Sequence, residues 1–242
     1  MRSEGNPSRE PMGGDFSLLP IVAAAHELKA PLALVRQLSL LLEQEASSPS
    51  SQELIQKITL TSERALRLTS DITKSTRLED ALFELEPVNA QQMCEEVIHE
   101  LSELFEAHGR ELKLKGRKHP LLLVANRDLL RRIIINFSDN ALHYAADSKV
   151  HIFVQALHHK ETVRIGVRDY GPALSSDMWR TLQDKLMHAP QSVHLRPQSS
   201  GLGLYLSGLF AEAMQGKIGA LRHKDGATFY VDLQASKQMS LL

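Results

Sequence analysis

The chain has 242 residues, of which 43% are hydrophobic and 24% charged, with a formal net charge of -1. That composition suits a soluble protein with room for two small cores, and the charge gives no electrostatic reason to bind nucleic acid or an anionic membrane. The single cysteine, Cys94, excludes an internal disulfide and a cysteine-built metal site, and fits a reducing, cytoplasmic setting.

Residues 1–15 are polar, lack the apolar stretch of a signal peptide, and read as a flexible tail. The apolar run Leu18 to Ala25 contains Pro20 and stops at His26-Glu27. A span needs about 20 apolar residues, so no direct membrane span is expected. No sensor segment is legible, and a separate sensor protein is an expected source of input.

Two amphipathic helices come next. Leu28, Leu32, Val35 and Leu42 share one face, widened by Leu38 and Leu41. Leu54, Ile58, Thr61, Ala65, Leu68 and Ile72 step by four and three, a heptad seam. Ala46 to Ser51 is a loop by composition. Two antiparallel helices with one wide apolar face bury it by pairing with a second hairpin, so a homodimeric four-helix bundle is expected over residues 16–82. His26 falls outside the apolar face, beside Ala30 and Ala33, with Pro31 disrupting the local helix. Glu27 adjoins it and can take a proton from one ring nitrogen, which makes the other more nucleophilic. Alone, such a histidine is an ordinary surface residue.

After Pro87 the pattern changes. A helix is expected over 90–108, strands over 111–116 and 121–126, and a helix over 127–145 containing the basic pair Arg131-Arg132, read as a solvated face. A hairpin of 150–157 and 162–169 follows, then a helix over 201–214 opening on glycines, and a last hairpin of 217–223 and 227–233. Helices interleaved with antiparallel strands predict an α+β fold, with helices on one face of a mixed sheet.

Several segments carry chemistry. Asn136 and Asn140 are four apart and project from one helix face, where an amide oxygen suits Mg²⁺. Asp169 closes a strand before Gly171, where a carboxylate can accept an amino hydrogen bond. Gly201 and Gly203 open a helix whose free N–H groups suit phosphates. Gly226-Ala-Thr228-Phe229 enters the last strand.

Together these segments resemble the motifs of two-component sensor histidine kinases, in the family order. His26-Glu-Leu-Lys-Ala-Pro-Leu32 resembles the H box, and Asn136 to Ala145 the N box. Asp169-Tyr-Gly171 resembles the G1 box, Ser200 to Leu204 the G2 box, and Gly226 to Phe229 the closing motif. The resemblance covers roughly residues 20–234. It implies a GHKL-type ATP-binding α/β sandwich, with ATP and Mg²⁺ as cofactors. It implies His26 as phosphoacceptor, aided by Glu27, with Asn140 as the magnesium ligand. Asn136, Asn140, His143, Tyr144, Asp169, Gly171, Gly201, Leu202, Gly203, Leu204 and Thr228 are the implied nucleotide-site residues. A response-regulator receiver domain is the implied partner.

The expected divisions are a tail over 1–15, a dimerisation and phosphoacceptor domain over 16–84, an ATP-binding domain over 85–236 and a tail over 237–242. An ATP lid is implied between Asp169 and Gly201, with Trp179 anchored in the core. Five departures stand out. Ala30 replaces the Thr or Asn that positions hydrolytic water, which counts against phosphatase activity. His143 replaces a lysine, Ala173 and Ser199 replace glycines, and the aromatic lid motif is not legible. His143, Ala173, Ser199 and the missing lid motif define a second reading, a non-catalytic dimeric phosphotransfer or scaffold protein with a decayed ATP site.

Overall fold

A computed structural model describes residues 28–29, 32–42, 48–75, 84–116, 121–144, 149–157, 161–177, 179–180, 182 and 202–237. Helix α1 covers residues 32–42 and α2 spans Pro49–Ser75. Ser48 starts α2: its hydroxyl accepts from the Ser51 backbone N–H at 3.1 Å, and Pro49 occupies the first helical position, where its missing N–H costs nothing.

Within the described hairpin residues, small hydroxyl side chains are buried while the leucines are not. Ser39, Thr59 and Ser62 are buried, and each hydroxyl returns its hydrogen bond to the carbonyl four residues earlier. Arg36 Nε meets Glu63 Oε1 at 2.7 Å, tying α1 to α2. Leu28, Leu38, Leu41, Leu42, Leu54 and Ile58 are exposed, Leu54 at 59%. The face expected to pair with a second hairpin is therefore uncovered in the single chain.

The α/β body begins with β1 (Glu86–Asn89), α3 (Ala90–Ala107), β2 (Glu111–Lys115), β3 (Leu122–Ala125) and α4 (Arg127–Tyr144). It continues with β4 (Lys149–Leu157), β5 (Thr162–Asp169), α5 (Leu202–Ala213), β6 (Lys217–His223) and β7 (Gly226–Gln234). The main sheet runs β2-β4-β5-β7-β6, with β2 parallel to β4 and the other pairs antiparallel. It is the expected mixed sheet. Strand β7 sits between β5 and β6, and a bridge from Leu123 to Ala235 joins it to the small β1–β3 pair. Strand β1 was absent from the sequence reading because Pro87 breaks its pattern; in a two-stranded sheet proline is tolerated at an edge.

Period-two alternation sends Val163, Ile165 and Val167 of β5, and Phe229, Val231 and Leu233 of β7, into the core. Helices α3, α4 and α5 close it from one side through Phe105, Leu130, Ile133, Ile134, Phe137 and Phe210, and Phe137 meets Phe229 at 6.1 Å between ring centroids. Trp179 packs partly buried against this core, as expected. Asparagine caps set where two helices begin. Asn89 Oδ1 accepts from the Gln91 and Gln92 N–H groups, and Asn126 Oδ1 accepts from Leu129 N–H at 3.1 Å. The solvated face expected for Arg131-Arg132 is only partly so: Arg131 is paired with Glu100, and burial lowers the pKa of Arg132.

Candidate functional site

Strand β4 begins at Lys149, shortly after α4 ends at Tyr144, and Val150 pairs with Asp169. The C-terminal end of α4, the end of β5 and the start of β7 therefore meet at one end of the sheet. Asp169 is 4% exposed there. Both carboxylate oxygens lie 3.2 Å from the Ala227 N–H that donates to them. Burial raises its pKa, opposed by the Ala227 hydrogen bond and by the charge of Arg168.

Gly226 makes this approach possible. Its φ is +126°, and a Cβ there would stand 2.4 Å from the Asp169 carbonyl oxygen and 2.5 Å from Oδ1. Arg168 braces the turn from the flank: Nη2 donates to Asp225 Oδ1 at 2.5 Å, and the guanidinium lies 4.4 Å from the centre of the Tyr170 ring. Tyr170 meets His151 edge-on at 5.4 Å.

The second half of the site is the contact of α4 with α5. Asn136 is 6% exposed, and its Nδ2 donates to Gly203 O and to Ser207 Oγ, each at 3.4 Å. Ser207 Oγ donates in turn to Gly203 O at 2.7 Å. The first asparagine of the pair thus fixes the opening turn of the glycine-led helix. Asn140, one turn on, is half-buried.

Other predicted residues fall differently. Gly171 is buried next to Asp169, whereas Leu204 belongs to the hydrophobic core and anchors α5. Alternation along β7 sends Ala227 and Thr228 to opposite faces, and the Thr228 hydroxyl bonds His223 Nε2 at 2.9 Å. The neighbour of Asp169 is the Ala227 backbone. His26, Glu27 and Gly201 lie outside the described residues, as do the side chains of His143, Tyr144 and Leu202.

Sequence reading missed Ser207 and Arg168. Ser207 follows the glycine by one helical turn, a spacing that could have signalled it; nothing in the sequence pairs Arg168 with Asp225. Among the described residues no cluster of three His, Cys, Asp or Glu side chains forms a metal site, and no helix is long and apolar enough to cross a membrane. A Mg²⁺ held by one amide oxygen, phosphates and water needs no such cluster, so the half-buried Asn140 fits the ion.

Residues 125–237 match the family model described as histidine kinase-, DNA gyrase B- and HSP90-like ATPase. The sensor protein GacS of Pseudomonas syringae pv. syringae is 27% identical over 224 residues, 88% of this chain and 24% of that protein. The histidine-protein kinase ArlS of Staphylococcus haemolyticus is 26% identical over 193 residues, 76% of this chain and 41% of that protein. The chain thus spans about a quarter of the length of the first curated relatives it matches. Among solved structures, full-length ShkA in complex with AMPPNP aligns with a TM-score of 0.64 and 22% identity, covering 92% of this chain and 47% of that one. The histidine kinase AdeS of Acinetobacter baumannii aligns at 0.55 with 16% identity over 88% of this chain and 98% of that one, a likeness of fold.

Proposed function

We propose that the chain is an ATP-dependent histidine autokinase that phosphorylates His26; the match of residues 125–237 to the histidine kinase-, DNA gyrase B- and HSP90-like ATPase model and the likeness to sensor histidine kinases support this reading. A ring nitrogen of His26 attacks the γ-phosphorus of ATP in line, an N–P bond forms, and the bond to the leaving ADP oxygen breaks. Glu27 takes the proton from the other ring nitrogen. Asp169 accepts the adenine amino hydrogen, and the N–H groups opening α5 face the phosphates. Asn140 would hold Mg²⁺, which would neutralise phosphate charge. Asn136 acts by positioning Gly203. The phosphoryl group then passes to an aspartate of a response-regulator receiver domain. Ala30 offers no hydrogen-bonding side-chain group to orient water for hydrolysis of the receiver's aspartyl phosphate.

The observation that carries this reading is buried Asp169 at the sheet end near the C-terminus of α4, the helix whose Asn136 bonds the opening turn of α5. Homodimerisation through the hairpin is part of the proposal, supported by the uncovered leucines of α1 and α2. The test is incubation with γ-labelled ATP and Mg²⁺. Acid-labile label is expected on the wild type and none on His26→Gln. An unlabelled wild type, or label surviving in the variant, refutes it.

A further inference from the structure

Strand alternation sends Asp169 into the core and its neighbour Arg168 to the outer face of the sheet. A charged side chain there is free to extend into water, yet only 12% of the Arg168 side chain is exposed. The guanidinium turns back across the ends of β5 and β7. Its Nη1 donates to the carbonyl of Asp169, and over longer reaches to those of Asp225 at 3.4 Å and Ala227 at 3.5 Å. Nη2 takes the Asp225 carboxylate at 2.5 Å, and the Tyr170 ring lies against the guanidinium.

The position of these contacts matters more than their number. The register between β5 and β7 runs as far as Arg168 and Thr228, one residue short of Asp169 and Ala227. Beyond it two contacts join the strands. On the inner side the Asp169 carboxylate accepts from the Ala227 N–H. On the outer side Arg168 grips the carbonyls of those same two residues and ties them to the β6–β7 turn. A planar fork of donors can serve a carboxylate and several carbonyls at once, which a single ammonium group cannot. The charge helps as well: burial raises the Asp169 pKa, and the Ala227 N–H and then Arg168 oppose that rise.

We propose that Arg168 is a positioning residue for base recognition: by bracing Asp169 against Ala227 from behind, it fixes the direction of the carboxylate that selects a purine bearing a 6-amino group. The recognition rests on the ATP reading above; the brace itself does not.

Calorimetric titration of the full chain compares ATP with purine riboside triphosphate, which carries hydrogen in place of the 6-amino group. In Arg168→Gln, ATP affinity is expected to fall about tenfold, the worth of roughly one hydrogen bond to a charged group, while affinity for the analogue changes less than about twofold. Arg168→Lys keeps the charge and loses the fork, and the same selective loss is expected at a smaller size. Amide exchange at Ala227 should rise several-fold in both variants.

Equal losses for the two nucleotides overturn the proposal, because general loosening of the fold weakens both alike. Unchanged ATP affinity in Arg168→Gln overturns it too. Full ATP affinity in Arg168→Lys assigns the effect to charge and overturns the brace. If Arg168→Gln does not fold, the Arg168→Lys titrations decide alone. If the wild type binds neither nucleotide, the ATP reading is what fails; the brace is then settled by Ala227 exchange, and unchanged exchange in both variants overturns it.

Discussion

Gly226→Ala tests the backbone geometry at Asp169, and Gly116→Ala supplies its control. The two glycines share nearly the same φ, +126° and +125°. An added Cβ at Gly116 meets nothing within 4 Å, so Gly116→Ala costs only backbone strain, about 1–3 kcal/mol. At Gly226 the same Cβ meets the Asp169 carbonyl oxygen at 2.4 Å and Oδ1 at 2.5 Å. The Arg168 guanidinium nearby can swing away, but the Asp169 carbonyl belongs to β5, which is paired with β4 and β7 and cannot retreat cheaply. Overpacking of this kind adds about 1–3 kcal/mol. Gly226→Ala should therefore lie about 2 kcal/mol below Gly116→Ala, or about 6 °C in Tm for a domain of this size. Thermal melts by circular dichroism read the difference. ATP titration should show weakened binding in Gly226→Ala alone. Equal melting temperatures for the two variants would refute the steric argument.

Three further outcomes follow from the same geometry. Ser207→Ala removes the hydroxyl joining Asn136 to Gly203, and ATP affinity should fall up to about tenfold, or about 1.4 kcal/mol, by calorimetric titration. Cys94 is fully buried and its thiol pKa is pushed up by burial and then by Glu95, so a thiol reagent should modify it only as fast as the domain unfolds. Burial raises the pKa of Asp169 above the ordinary 3.8, so the folded state holds its proton longer than the unfolded chain as pH rises. That contribution to stability is present at low pH and is lost as pH climbs through the folded value. Asp169→Asn should then gain stability relative to wild type as pH is raised from about 4 towards neutrality; a constant difference in Tm would contradict the sign.

Much of the body was legible because its periods are strong. Thr162–Asp169 and Lys217–His223 were bounded from alternation alone, and α3 and α4 to within a residue or so. Strand β1 was not, because Pro87 and a partner far along the chain leave no local signature. In the hairpin, the leucine stripe was plain, yet periodicity could not say that Ser39, Thr59 and Ser62 rather than leucines would be buried within the chain. The site shows the same division. Asn136, Asp169 and Gly203 were singled out by their resemblance to family motifs, whereas strand phase, which turns the Ala227 N–H to Asp169 and the Thr228 hydroxyl to His223, leaves no mark in the sequence. Arg67 of α2 meets Asp139 of α4 across elements far apart in sequence, and no pattern along the chain encodes that contact.

The position of β7 between β5 and β6 bears on how the chain is made. Parallel and non-local pairings are slow to form, because the loops between partners must close first. Here Thr162 of β5 pairs with Gln234, and Ala235 bridges back to Leu123. The nucleotide body cannot close its sheet until that strand has left the ribosome, whereas α1 and α2 emerge far earlier and need only each other and a second hairpin. In the proposed dimer, partners would therefore associate through their helices while the ATP-binding part is still unfinished, and subunit choice would precede the proposed phosphoryl transfer. A chain stopped before Val231 should be able to enter assemblies it cannot serve, a route to poisoned dimers that leaves the helical interface untouched.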